Sequence, residues 1–162
     1  MLKFFTNSKN QGYLRGLAEE FGESTNAVRL ELNRLSEANL ITSETDGRKK
    51  VYMANKKHPL YPELKSVARK YLGLDRIQQV VERLGTVERA LITGDYAKGI
   101  DSGIIDLVIV GSIDSGYLHK LVSKAEKLVD RKIRTLVLNE QEFKRFTKRL
   151  DQEKAIELWC SE

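Results

Sequence analysis

Cysteine is almost missing from this chain: its 162 residues hold one, Cys160. A single thiol excludes an intramolecular disulfide framework and a cysteine-rich zinc site. Proline is scarce as well, with Pro59 and Pro62 alone. No apolar run is long enough to cross a bilayer, and Met1-Leu2-Lys3-Phe4-Phe5 lacks the extended apolar region of a signal peptide. No internal repeat or low-complexity tract stands out. The expectation is a soluble cytoplasmic protein. Apolar residues make up 41% of the chain, enough for a true core, and the length suits one ordinary domain or two small ones.

What is present is an uneven charge. The net charge is +5. Residues 1–72 hold 13 Lys and Arg against 8 Asp and Glu, whereas residues 73–162 hold 15 of each. The whole excess therefore falls in the first half, where clustered cations could neutralise phosphate. A solvated surface would show the same excess, so charge alone does not decide.

The pattern along that half is more specific. Tyr13, Leu14, Leu17, Ala18 and Phe21 recur at helical spacing, and Gly22 ends the run. Ser24 suits an N-cap for a second helix over residues 25–38, whose apolar stripe is Val28, Leu32 and Leu35. The period then changes. Residues 40–44 read as a strand, Asp46-Gly47 as a hairpin turn, and residues 49–53 as the returning strand. Helix, turn, helix and a basic-tipped hairpin make the winged helix-turn-helix arrangement. Pro62 then opens a helix to Leu72 that carries Leu64, Val67, Ala68 and Tyr71; these could form a dimer contact or pack within one chain.

On the second helix, Thr25, Asn26, Arg29, Glu31, Asn33 and Arg34 lie off the apolar stripe. Major-groove reading needs long side chains with directed donors, Arg for guanine edges and Asn for adenine edges. The expected DNA-contacting set is Ser24, Thr25, Asn26, Arg29 and Asn33, with Arg48, Lys49 and Lys50 of the wing on the backbone or minor groove.

These residues resemble the winged-helix domain of ArsR- and MarR-type regulators. The resemblance rests on Leu17-Ala18-Glu19 to Gly22, Ser24-Thr25-Asn26-Ala27-Val28-Arg29, Leu32, Leu35, Ala38-Asn39-Leu40, Gly47, and residues 58–64. Asn39 stands where that family often has glycine, and asparagine tolerates the same left-handed backbone. The resemblance implies a homodimer on a palindromic site in double-stranded DNA.

The second half alternates strand and helix: a strand over 87–93, a glycine-containing loop over 94–103, a strand over 104–110, a helix over 117–129, a strand over 133–138, and a helix from Glu140. Gly94-Asp95-Tyr96-Ala97-Lys98-Gly99 and Gly103-Ile104-Ile105-Asp106-Leu107 resemble the signature of minimal nucleotidyltransferases. That family implies two carboxylates two residues apart on a strand, a third on a later strand, and two metal ions between them. Asp95 stands in the place of the phosphate-contacting serine, Ile104 in the place of the first aspartate, and residues 132–138 hold no carboxylate. The expectation is therefore a degenerate transferase-like domain with no catalytic residues, no metal and no cofactor, hence not an enzyme. Gly94, Asp95, Lys98 and Asp106 remain a candidate residual nucleotide or small-molecule effector site. Lys98 could equally be an exposed loop lysine, and Asp106 a hydrogen-bonded relic.

His58 is expected to cap or pack at the wing exit, and Trp159 and Cys160 to be packing residues. The fold class expected is an α+β winged helix-turn-helix over residues 1–73 followed by a small α/β nucleotidyltransferase-like domain over 74–162. The function expected is a DNA-binding transcription regulator. The rivals are an active nucleotidyltransferase acting on a protein or small molecule, and the antitoxin-like partner of a toxin.

Overall fold

The computed structural model describes residues 2–147 and 155–161. The chain divides into two compact units, Met1–Ser66 and Val67–Glu162. The division falls inside a helix, Tyr61–Tyr71, whose end lies just before the boundary expected from sequence at residues 72–74. Among the described residues no helix is long and apolar enough to cross a membrane.

The first unit runs α1 (Leu2–Thr6), β1 (Gln11–Tyr13), α2 (Leu14–Phe21), α3 (Thr25–Glu37), β2 (Ile41–Asp46) and β3 (Lys49–Ala54), and α4 (Tyr61–Tyr71) follows. Gly22 stops α2 in the left-handed conformation, φ 65°, and its N–H reaches the carbonyls of Ala18 and Glu19. A side chain would be strained there, and the sharp reversal lets α3 start soon afterwards. The Ser24 hydroxyl then accepts from the Ala27 N–H at 3.1 Å, satisfying one of the free amides of α3. Leu17 and Ala18 of α2 and Val28 and Leu32 of α3 are buried with Phe4, Phe5, Ile41 and Tyr52. The three strands form an antiparallel sheet in the order β1-β3-β2. Asn39 adopts φ 55°, the conformation its residue type tolerates.

Two elements differ from expectation. Residues 11–13 are not the start of α2 but a strand that pairs Gln11, Gly12 and Tyr13 with Met53, Tyr52 and Val51. Gly12 makes this possible, because a Cβ there would come within 2.6 Å of the Leu17 side chain. Helix α1 has no counterpart in the sequence pattern. It buries Phe4 and Phe5, and both carboxylate oxygens of Glu20 meet the buried Lys3 ammonium at 2.7 Å.

The second unit runs α5 (Leu74–Glu82), β4 (Val87–Thr93), α6 (Gly94–Ala97), β5 (Ile104–Gly111), α7 (Ser115–Val129), β6 (Lys132–Leu138), α8 (Glu140–Phe146) and β7 (Ile156–Cys160). Its four strands lie in the order β6-β5-β4-β7, with β5 and β6 parallel and the other pairs antiparallel. Alternation along β5 separates the two faces of the sheet. Ile105, Leu107 and Ile109 pack with Leu74, Ile77 and Val81 of α5 and Leu118, Leu121 and Val122 of α7. Val108 and Val110 pack on the other face with Leu91, Leu138 and Phe143 of α8. Asp106 shares that second face with Val108 and Val110.

Strand β7 departs from the sequence expectation. Trp159 donates its indole N–H to the Val87 carbonyl at 3.2 Å, but it and Cys160 are both exposed, so the packing role expected of the two fails. The apolar stripe expected on α4 is also split: Ala68 is buried, whereas Val67 and Tyr71 are more than half exposed.

Candidate functional sites

In the first unit, every sequence-predicted contact residue is exposed: Ser24, Thr25, Asn26, Arg29 and Asn33 on or before α3, and Arg48, Lys49 and Lys50 at the hairpin. Ser24 is engaged as the N-cap. Arg29 donates to the Asn26 side-chain oxygen at 3.2 Å, and Arg34 pairs with Glu31 at 2.6 Å. Arg29 therefore leaves the start of α3 with a preset orientation. The structure gathers Arg29, Arg48, Lys49 and Lys50 around one open cleft. Residues outside the expected contact set line it too: Tyr13, Arg15 and Tyr52, together with the acidic Glu19. The Lys49 ammonium stands 4.7 Å from the Tyr13 ring centre and the Lys50 ammonium 5.4 Å from that of Tyr52. Both rings hold a flexible lysine stem in place by cation–π attraction. Helical spacing cannot reveal Tyr13 as a site residue, because it is strand β1 that brings it beside β3, and Arg15 follows in the first turn of α2. At the exit from the hairpin, His58 Nδ1 accepts from the Leu60 N–H at 3.1 Å, the capping role expected of it.

The second unit carries a different arrangement. Gly94 opens α6 at φ 66°, and a Cβ on it would lie 2.5 Å from Oδ2 of Asp106. Only glycine brings the backbone that close to the carboxylate. Arg134 of β6 lies directly opposite Asp106 in the β5–β6 register. Its Nε and Nη2 donate to the two Asp106 oxygens at 2.7 and 2.9 Å, a bidentate pair. Those hydrogen bonds first, then the charge of Asp106, push the guanidinium above its ordinary value, and Asp95 adds to the same field. Asp106 is thus hydrogen-bonded through both oxygens. Asp95 and Lys98 are exposed on and just after α6.

The transferase signature implies metal ions, and the donor set tests that implication. Among the described residues no three His, Cys, Asp or Glu side chains gather as ligands. Asp106 has both oxygens committed to a cation already, so the residues as they stand do not fit a two-metal centre. Arg134 is the residue that sequence reasoning misses. Its strand lacks a carboxylate, and the arginine reaches Asp106 only through the parallel pairing.

A second cluster closes the loop after α6. The fully buried Tyr96 donates its hydroxyl to Asp101. Arg131 grips Asp101 through Nε at 3.0 Å and Nη2 at 2.6 Å, and donates to the Val129 carbonyl at 2.7 Å. The Arg131 hydrogen bonds, outweighing partial burial, lower the Asp101 pKa to about 2. Burial first, then the bond to Asp101, raises the Tyr96 hydroxyl above its usual range. This network ties residues 96–101 to the end of α7.

No protein-family model matches the chain, and no curated protein matches it. Several solved structures resemble part of it. A mutant form of the toxin–antitoxin pair MntA–HpeT is similar at 12% identity and TM-score 0.43, over 54% of this chain and 73% of that one. A tri-AMPylated Shewanella oneidensis HEPN toxin in complex with MNT antitoxin gives 12% and 0.40, over 56% and 71%. A putative nucleotidyltransferase from Sulfolobus solfataricus gives 18% and 0.39, over 59% and 86%. The expectation that the chain is not an enzyme is withdrawn: a putative nucleotidyltransferase is among the solved structures similar to part of it. The chain has an α+β fold whose structural neighbours are proteins of the minimal nucleotidyltransferase type.

Proposed function

We propose that this chain is a regulator that binds double-stranded DNA through a winged helix-turn-helix over residues 1–73. The observation that carries the reading is the single cleft lined by Arg15, Arg29, Arg48, Lys49 and Lys50 beside the start of α3. Helix α3 enters the major groove by its first turns, where Thr25, Asn26 and Arg29 are exposed. The hairpin cations and Arg15 lie on phosphates. Asn33 sits nearer the rim. A homodimer would place two such clefts on a palindrome, and the exposed Val67 and Tyr71 of α4 suit its contact.

The test is a comparison of variants on one duplex. Arg29→Ala is expected to lose affinity by about 1–3 kcal/mol and to relax sequence preference. Lys49→Ala with Lys50→Ala is expected to weaken all sequences alike and to flatten the salt dependence, by about one unit of slope for each phosphate no longer neutralised. Unchanged affinity in both variants would exclude the cleft as the interface.

The domain over residues 74–162 supports a second reading: nucleotidyl transfer to a protein or small molecule, or an antitoxin-like embrace of a toxin, as the MNT antitoxin is found in complex with a HEPN toxin. The nearness of Gly94 to Asp106 favours it, because the fold brings together the two residues in which the chain keeps the transferase-like signature. Labelled ATP or GTP with Mg²⁺ would test it, with incorporation abolished by Asp106→Ala. The group Gly94, Asp95, Lys98 and Asp106 could hold a nucleotide effector in either reading.

A further inference from the structure

We infer that Arg134 is the resident cation of the Asp106 carboxylate, and that a divalent ion reaches Asp106 and Asp95 only when the guanidinium is removed. Three observations carry this. Arg134 is aligned with Asp106 by an unbroken parallel register from Ile104–Lys132 to Val110–Leu138, so its position is set by the sheet. Both oxygens of Asp106 are taken at 2.7 and 2.9 Å by the planar fork of one guanidinium. Gly94 keeps the backbone turn of α6 beside Oδ2, where a Cβ would stand 2.5 Å away. A metal ion would have to share both oxygens with Arg134, and it would feel a fixed positive charge only a hydrogen bond away. Any metal-dependent chemistry on this face would first have to displace Arg134.

The Arg134 side chain is 68% exposed. It contributes charge here and little packing, so it can be replaced without opening the core. Arg134→Glu would set a carboxylate opposite Asp106 with Asp95 nearby, and turn one cation and two anions into three anions. Arg134→Gln removes the cation without adding a ligand.

The experiment is a Mn²⁺ titration of the full chain followed by electron paramagnetic resonance, with thermal unfolding in the presence and absence of the ion. Wild type is expected to show no saturable site at millimolar Mn²⁺ and no stabilisation by it. Arg134→Glu is expected to bind at least about tenfold more tightly than wild type and to melt higher with Mn²⁺, since like charges so close favour a shared cation. Adding Asp106→Asn to that variant should abolish the gain. Arg134→Gln should show a smaller gain that also disappears with Asp106→Asn, and it answers the question if the glutamate variant does not fold. Mn²⁺ binding by wild type that equals either variant and depends on Asp106 would overturn the inference. So would the absence of any gain in both variants.

Discussion

Asp101→Asn tests the physics of the second unit most sharply. The carboxylate takes two hydrogen bonds from Arg131, one from the Tyr96 hydroxyl and a longer one from the Gly103 N–H. Its pKa falls from 3.8 to about 2. At about 1.36 kcal/mol per unit this would be roughly 2.4 kcal/mol of stabilisation. The side chain is about a third exposed, so solvent screening reduces the figure to about 1–2 kcal/mol. The sign follows from the direction of the shift. A lowered carboxylate pKa stabilises the fold fully above the unfolded value near 3.8, and that stability disappears as pH falls through about 2. Trp159, the chain's one tryptophan, lies on β7 of this unit and reports its unfolding in urea. The variant should be less stable than wild type at neutral pH, and the difference should shrink between about pH 4 and pH 2. Equal stability at neutral pH, or a difference that stays constant with pH, would refute the role given to the Arg131 bonds.

Gly94→Ala should destabilise the second unit by about 1–3 kcal/mol in the same urea assay, since it combines a positive φ with a clash on Asp106. Adding Asp106→Ala should recover part of that stability by removing the clash. In the first unit, Glu20→Ala should cost up to about 3 kcal/mol, measured by circular dichroism, because it takes the carboxylate from the buried Lys3 ammonium.

Where a local pattern governs, the sequence is a good guide. The α2–Gly22–α3 turn, the Ser24 cap and the β2–β3 hairpin follow from residues within a few positions of one another, so propensity and capping chemistry are enough. Strand β1 is not legible. It is three residues long, it joins α2 without a break, and its partner β3 lies beyond both α2 and α3 in the chain. Helix α1 escapes notice because five residues carry no periodicity. Strand β7 does so because its pairing with β4 spans the whole second unit.

The same limit applies to the sites. Arg29 and the hairpin cations can be named from type and position on a helix and a turn. Tyr13 joins them only through β1, and Arg15 through the turn of α2 that follows it. Asp106 can be named from a motif, but Arg134, 28 positions later, meets it only through strand order. Asp101 and Arg131 are 30 positions apart and are brought together by the end of α7.

DNA binding by the first unit is the central proposal. The direct measurement is fluorescence anisotropy of a duplex from the region upstream of the gene, beside a scrambled duplex, at two salt concentrations. The proposal predicts tight binding that prefers the upstream duplex and weakens steeply with salt, as neutralised phosphates release their counterions. Absence of binding to either duplex at low salt would contradict it, and the cleft around Arg29 and Lys49 would then have to serve some other partner.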